Sequence, residues 1–423
     1  MTDIELPEVG PPVPLRLTGD QGRLLAVSGV VTAVPSPFAA GTWLIGAAGK
    51  VGAARVGDVV VRIAPKVSID RLLFLLGYSV HGAEWLRERV DMGAAPDLVP
   101  VVAQALWRQV SRAVAQGLLP GYVEVEESAP VLRGRLLESA QLALHHGLPL
   151  PLEVRHDEFT VDIPENQILR AACERMLLVP WVDAESARQL RRLLRDFADV
   201  TPLRRGDSVP AWQASRINVR YHAALRLAEL VLRATSVEHG PGAVAVNGFL
   251  IDMPRLFEDF VTVALREALE GTFGGRVDGQ ARHHLDVASR VPLRPDIVWR
   301  FAEVPTAVID AKYKAEKPAG YPNADLYQML AYCTVLGLRR GHLVYAAGNE
   351  EPARHVVRGA GAEIVCHALD LGQTPDKLLA EVSLLASKIA LGTLAALLER
   401  RCATGTCRRR RSARATISTR VPR

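Results

Sequence analysis

A chain that writes carboxylates into its most apolar strands has few folds open to it, and residues 294–314 do so twice. The stretch reads RPDIVWRFAEVPTAVIDAKYK. Asp296 is followed by Ile297, Val298 and Trp299. Fourteen residues on, Asp310 is preceded by Ala307, Val308 and Ile309 and followed by Ala311 and Lys312. These β-branched and aromatic runs predict two short buried strands. Phe301–Thr306, with Glu303 and Pro305, is expected to be the turn between them.

Two carboxylates and an ammonium on adjacent buried strands are electrostatically costly, and a divalent metal offsets that cost. Asp296 and Asp310 supply hard oxygen ligands of the kind Mg²⁺ takes, leaving coordination positions to water and phosphate. Lys312 lies two residues past Asp310, so strand alternation puts both on one face. Its ammonium is placed to orient or deprotonate an attacking water and to offset phosphate charge. The implied chemistry is metal-assisted hydrolysis of a phosphodiester. A β-hairpin with ordinary surface charges reads the same way locally, because PD followed by DxK is common by chance.

The neighbouring text narrows the choice. Downstream, DLYQMLAYCTVLG carries a helical apolar stripe of Leu326, Met329, Leu330, Cys333 and Leu336. Gln328 and Tyr332, four apart, share a face of that helix and can reach a phosphate or the Lys312 side of the site. Upstream, Asp252-Met253-Pro254 opens a helix with an N-cap acceptor and a first-turn proline. That helix, Arg255 to Glu270, buries Phe257, Phe260, Val261, Ala264 and Leu265. Its Glu258 is either a third acid near the metal or a first-turn glutamate that complements the helix dipole.

The order of helix with Glu, strand with PD, strand with DxK and helix with QxxxY resembles the QxxxY-bearing branch of the PD-(D/E)xK nuclease superfamily. GFLIDMPRLFEDFV, RPDIVW, VIDAKYK and DLYQMLAY together resemble the McrC family, nuclease subunits of the McrBC modification-dependent restriction system. RIAPKVS, VLRGRL and DEFTVDIPEN resemble further McrC segments, so the likeness runs from about Val60 to Tyr345. It implies a Mg²⁺-dependent DNA endonuclease subunit. Asp296, Asp310 and Glu258 would bind metal, Lys312 would activate water, and Gln328 and Tyr332 would support the site. It also implies a partner, an McrB-like hexameric AAA+ GTPase that recognises DNA with 5-methylcytosine. The partner's GTP hydrolysis would be stimulated by this chain, with residues 1 to about 130 against its ring. Two other readings stay open: a stand-alone repair or recombination nuclease, and a non-catalytic activator of an AAA+ partner.

The rest of the chain fits that division of labour. Gly41 and Gly46 have phosphate-loop spacing, but Ala47 and Ala48 stand where Lys and Ser/Thr are needed. A nucleotide-driven motor is therefore expected on another polypeptide. Eight arginines and no acid lie in residues 401–423, so a net charge of +5 becomes −3 over residues 1–400, and overall charge does not argue for nucleic acid. The five cysteines lack metal-ligand spacing, and Cys173, Cys333 and Cys366 sit in apolar text as reduced core residues suited to a cytoplasm. No signal peptide and no run of membrane-spanning length is apparent.

At 423 residues two or three domains are expected. The predicted class is α+β multidomain: a β-rich N-terminal partner-binding domain (1–130), a mostly helical middle region (131–245), and an α/β endonuclease domain with a mixed sheet flanked by helices (246–400). SVEHGPGAVAVNG is the expected linker into the last of these. Asp157, Glu158 and Asp162 lack a lysine at strand spacing and read as turn and capping acids. RQLRRLLRDF, with Arg204 and Arg205, is a basic helix that either contacts nucleic-acid backbone or forms a salt-bridged solvated face. ARHHLDVASRVPLRPD reads as strand, turn and strand, with His283 and His284 in structural or surface roles. The arginine-rich tail, 401–423, cannot fold by itself; it reads as a DNA-attracting arm or as the product of a shifted frame.

Overall fold

The computed structural model describes residues 2–87, 97–146, 148–204, 206–235, 246–313, 323–346 and 353–403, the side chains of 393–403 excepted. Residues 236–245 of the expected linker, Lys314, Arg205 and nearly all of the arginine-rich tail lie outside the described residues; the linker's last three residues, Val246–Gly248, instead begin a strand. The chain is a mixed α+β molecule with several sheets and helices. No described helix is long and apolar enough to cross a membrane.

The N-terminal part is built on a four-stranded sheet in which Thr2–Pro7 runs parallel to Val59–Ala64, and Lys50–Val56 pairs antiparallel with Val59–Ala64. The fourth strand comes from far along the chain. Val246–Asp252 pairs antiparallel with Lys50–Val56. Sequence analysis assigns this VNGFLID run to the C-terminal domain, yet it closes the N-terminal sheet. Its buried Gly248, Phe249, Leu250 and Ile251 satisfy the edge left by the Lys50–Val56 strand.

A second difference lies in the middle region. Gly121–Ala129 and Leu152–Thr160 form a nine-residue antiparallel ladder, joined by Arg135–Leu136. A boundary at 130/131 divides this hairpin. Tyr122, Val123, Val125, Val154 and Phe159 supply its β-forming text. The true helical layer comprises Ile69–His81, Leu98–Val114, Pro164–Met176, Ala184–Leu193 and His222–Thr235. Ser68 stands at the N-cap of the first of these, as expected, but its hydroxyl makes no cap bond.

The C-terminal sheet has six strands in the order Arg276–Gly279, Ile297–Phe301, Val304–Lys312, Arg340–Ala346, Glu363–Leu369, Ala353–Val356. Its three central strands are parallel and its flanking strands antiparallel. One face is covered by Met253–Phe273 and Pro375–Ala403. Ile297, Trp299, Ala307, Ile309 and Ala311 join Phe257, Phe260 and Ile389 there, in a core continuous with the N-terminal sheet and the helical layer. The other face carries Asn323–Leu336, with Val298, Val308, Met329, Tyr332, Cys333 and Leu343 in a separate small core. Gly341 permits this close packing: a Cβ there would lie 2.3 Å from Met329 Sδ.

Side chains tie the C-terminal unit to what precedes it. Phe74 and Tyr78 meet Phe260 edge-on, Tyr78 donates to Glu267, and Ala83 N–H donates to Glu267 Oε1 at 3.0 Å. Burying each such aromatic stabilises the junction by about 1.5–3 kcal/mol.

Candidate active site

The two motif strands pair antiparallel, Ile297 opposite Ile309, Val298 opposite Val308 and Trp299 opposite Ala307. Phe301 pairs with Val304, so the loop is only Ala302-Glu303, shorter than the turn expected from sequence. Both loop residues have positive φ, 48° and 63°, the geometry that matches the twist of a two-residue hairpin. The second strand runs parallel to Arg340–Ala346, placing Asp310 beside Leu343 and Lys312 beside Tyr345. Alternation sends Ala307, Ile309 and Ala311 into the large core, and Val308, Asp310 and Lys312 toward the QxxxY helix.

Asp296 (8% exposed) and Asp310 (1% exposed) are both buried and close enough that the Asp310 charge acts on Asp296. Asp296 Oδ2 accepts the Ala311 N–H at 2.9 Å. Lys312 Nζ lies 2.6 Å from Asp310 Oδ2, a charge contact rather than an aligned hydrogen bond, so that oxygen keeps unused acceptor capacity. Burial and then the Asp310 charge push Asp296 up to about 7, against the Ala311 N–H. Burial also raises Asp310, against Lys312. Burial works to lower Lys312, but Asp310, Asp296 and Asp325 outweigh it and keep the ammonium charged. Like charges this close share a proton rather than ionise together.

The QxxxY pair closes the other side. Gln328 Nε2 donates to the Tyr332 hydroxyl at 2.8 Å, and that hydroxyl donates to the Arg294 carbonyl at 3.2 Å. Gln328 is thus turned to Tyr332, not to Lys312. Burial, Asp310 and Asp296 all raise the Tyr332 pKa, keeping the phenol protonated. Asp252 caps the upstream helix through Arg255 N–H at 3.0 Å. Glu258, on that helix, is raised by burial and by Asp310, with Lys312 opposing. It therefore shares the field of the site. Among the described residues, however, no three His, Cys, Asp or Glu side chains gather closely enough to hold an ion. The structure brings Asp296, Asp310 and Lys312 together and leaves Glu258 as a neighbour. The donor chemistry fits Mg²⁺: two hard carboxylates, one with a buried oxygen short of donors, and room in the coordination shell for water and phosphate oxygens.

Two groups here were missed by sequence analysis. Asp325 is buried on the first turn of the QxxxY helix and accepts from the Tyr345 hydroxyl at 3.0 Å. Its charge acts on both Asp310 and Lys312. The signal for it was spacing: three residues before Gln328 and seven before Tyr332, it shares their helical face. Tyr313, directly after Lys312, donates to the buried Glu8 of the N-terminal strand's end, and no local pattern announces that contact. His283 and His284 stand apart from the dyad on a separate two-stranded hairpin with Pro292–Leu293.

Comparison with known proteins bears on this geometry. A family model described as the McrBC 5-methylcytosine restriction system component matches residues 45–346. No curated protein matches the chain. Among solved structures, the refined half-complex of Thermococcus gammatolerans McrB AAA+ hexamers with bound McrC contains a chain 20% identical to this one. It aligns with a TM-score of 0.57 over 92% of this chain and 100% of that chain. A chain of the T. gammatolerans McrBC complex is 22% identical, with a TM-score of 0.36, over 63% of this chain and 88% of that one. The first likeness extends to the fold. The family match covers well over half of the sequence, and the chain belongs to the McrBC 5-methylcytosine restriction system component family.

Proposed function

We propose that this chain is the nuclease subunit of a 5-methylcytosine-directed restriction system, cleaving double-stranded DNA with Mg²⁺. The observation that carries the reading is the convergence of Asp296, Asp310 and Lys312 on one sheet face under the QxxxY helix. Asp296 and Asp310 would hold the metal, with Glu258 as the third acid beside them. Bound there, Mg²⁺ supplies Lewis-acid polarisation of the phosphate and a more acidic water. The Ala311 N–H fixes the Asp296 carboxylate in place. Lys312, held charged by the acids around it, offsets phosphate charge and orients the attacking water by hydrogen bonding. Gln328 and Tyr332 fix the backbone at Arg294, two residues ahead of Asp296.

The partner in this reading is an McrB-like AAA+ GTPase hexamer, as in the Thermococcus assembly whose McrB hexamers carry bound McrC. That partner uses the GTP, this chain stimulates its hydrolysis, and both work in the cytoplasm. Cleavage of methylated and unmethylated duplexes with Mg²⁺, with and without the GTPase and GTP, tests it. Cutting only of methylated DNA, only with partner and GTP, is expected. Cutting that ignores both makes the chain a stand-alone nuclease. GTPase stimulation with no cutting at all makes it an activator.

A further inference from the structure

Between Gly279 and Asp296 the chain leaves the sheet as a hairpin, His283–His284 paired with Pro292–Leu293. Its composition is one-sided. Residues 280–294 hold Arg282, Arg290 and Arg294 and a single acid, Asp286. That acid is consumed internally: Asp286 Oδ1 accepts the N–H groups of Arg290 at 2.8 Å and Val291 at 2.7 Å. The backbone closes as well, Leu285 N–H to the Val291 carbonyl at 2.9 Å and Ser289 N–H to the Asp286 carbonyl at 3.1 Å. The tip is therefore well ordered, yet it holds Val287 fully in solvent and Leu285 half exposed. Arg282 and Arg290 are exposed and have no side-chain hydrogen bond or ion pair among the described residues.

Both ends of the hairpin are fastened to the candidate active site. Gln280 N–H donates to the Asp296 carbonyl at 2.9 Å. The Tyr332 hydroxyl donates to the Arg294 carbonyl at 3.2 Å, and Arg294 Nη2 bridges to Gln280 Oε1 at 2.8 Å. The other basic surface, the Ala184–Leu193 helix, has no such root, and its Arg188 is paired with Glu185. The base of this cationic finger is thus bonded to the Asp296 backbone on one side and to the QxxxY tyrosine on the other, which fixes its position relative to the site.

The geometry points to the 280–294 hairpin as the element that grips the DNA duplex beside the scissile phosphate, Arg282 and Arg290 on backbone phosphates and the Val287 tip in the groove. This rests on the nuclease reading above. Backbone phosphates position a protein on the duplex, and apolar tips seat against sugars and base edges in a groove.

Binding of a short fluorescent DNA duplex to the full-length chain in EDTA, followed across a potassium chloride series, tests the inference without cleavage. The Arg282→Gln/Arg290→Gln double variant is expected to bind at least tenfold more weakly at low salt. Its slope of log affinity against log salt should be shallower by about 1.8, about 0.9 for each lost phosphate contact. Lysine at both positions should restore the slope, and Val287→Ser should weaken binding with the slope unchanged. Thermal melting of each variant reports that the fold is intact. A glutamine double variant with wild-type affinity and slope overturns the inference, as does a wild-type chain that does not bind duplex DNA. A parallel cleavage arm on methylated duplex, with Mg²⁺, the partner GTPase and GTP, separates the two claims. If Asp310→Ala cuts like wild type, the nuclease reading fails while the salt slopes still decide the hairpin. If Asp310→Ala is dead but the arginine variants bind as wild type, only the hairpin fails.

Discussion

Two acidic places in this chain look alike as text and behave in opposite ways as structure. Asp162, in DEFTVDIPEN, takes hydrogen bonds from Thr201 N–H at 2.8 Å, from the Thr201 hydroxyl and from Gln167 Nε2 at 2.8 Å. Burial alone would raise it, but those donors outweigh burial and hold its carboxyl below the usual range. Asp296 has one N–H, a deeper burial and a second carboxylate against it, and it is pushed up to about 7. The difference is donor supply. A carboxylate whose lone pairs are filled by neutral donors is part of the scaffold; one left short beside another acid is a place where a cation gains much by binding.

The largest test of that contrast is catalytic. Asp310→Ala removes the most buried acid of the pair and should lower DNA cleavage on the order of a thousandfold or more, the scale of a lost metal ligand. Asp162→Ala should leave cleavage within about twofold once corrected for the folded fraction. Gel cleavage assays with partner and GTP, alongside partner GTPase rates, read both. A dead Asp162→Ala protein that still melts as wild type would erase the distinction.

Next comes stability without metal. Folding raises the Asp296 pKa from the ordinary carboxylate value to about 7. The neutral form therefore stabilises the fold fully below about pH 4, and that contribution is lost as pH rises through about 7. Asp296→Asn mimics the neutral form and can still accept the Ala311 N–H. In EDTA it should exceed wild-type stability at pH 8 on the order of 2–4 kcal/mol, the two curves merging at acid pH. Urea melts at a series of pH values measure this. Saturating Mg²⁺ should reverse the order at pH 8, because only the wild type keeps both ligands.

How much of this was legible follows from which contacts are local. The motif strands, the Asp252 cap, the QxxxY helix and the shared face of Asp310 and Lys312 depend on periods of two and 3.6 residues, and sequence carries those directly. Asp157, Glu158 and Asp162 were expected to be turn and capping acids, but Asp157 and Glu158 lie within the strand Leu152–Thr160, and Asp162 holds Thr201 and Gln167 while Ile163, with no side-chain bond, stands at the helix N-cap. Val246–Asp252 was assigned to the C-terminal domain with no strand partner, because that partner lies near residue 50, and strand pairing at that distance leaves no periodic trace. The 121–160 ladder was lost for a related reason: its strands are separated by helical text at Glu138–His145, a helix with no buried residue. Asp325 was hidden by type. An acid in the first turn of a helix is ordinarily a dipole partner in solvent, and only its buried bond to Tyr345 shows otherwise.

That bond provides an intermediate case between the two acids. Tyr345→Phe deletes the donor at 3.0 Å and leaves Asp325 Oδ2 without it. Loss of a buried hydrogen bond to a charged group should cost about 1–3 kcal/mol in denaturant melts. Cleavage should fall less than tenfold, because Asp310 and Lys312 keep each other in place. A thousandfold loss at full stability would move Asp325 from the scaffold to the chemistry.

The smallest effect carries the opposite sign to Asp296 and is for that reason the sharpest control. Folding lowers the Asp162 pKa, so its ionised form stabilises the native state above the ordinary carboxylate pKa. That contribution disappears as pH falls through the lowered value. Asp162→Asn cannot accept as strongly from Thr201 and Gln167, and the site is only partly buried, so the loss at pH 7 should be about 1 kcal/mol. The gap should close once pH falls below the lowered pKa of Asp162, where the wild-type carboxyl is protonated. Asp296→Asn gains on wild type as pH rises from the ordinary carboxylate pKa to about 7; Asp162→Asn falls behind as pH rises through the lower window that ends at the ordinary carboxylate pKa. Were both difference curves to run in the same direction, donor supply would not be what separates the two acids, and the contrast between scaffold and site would have to be rebuilt on burial alone.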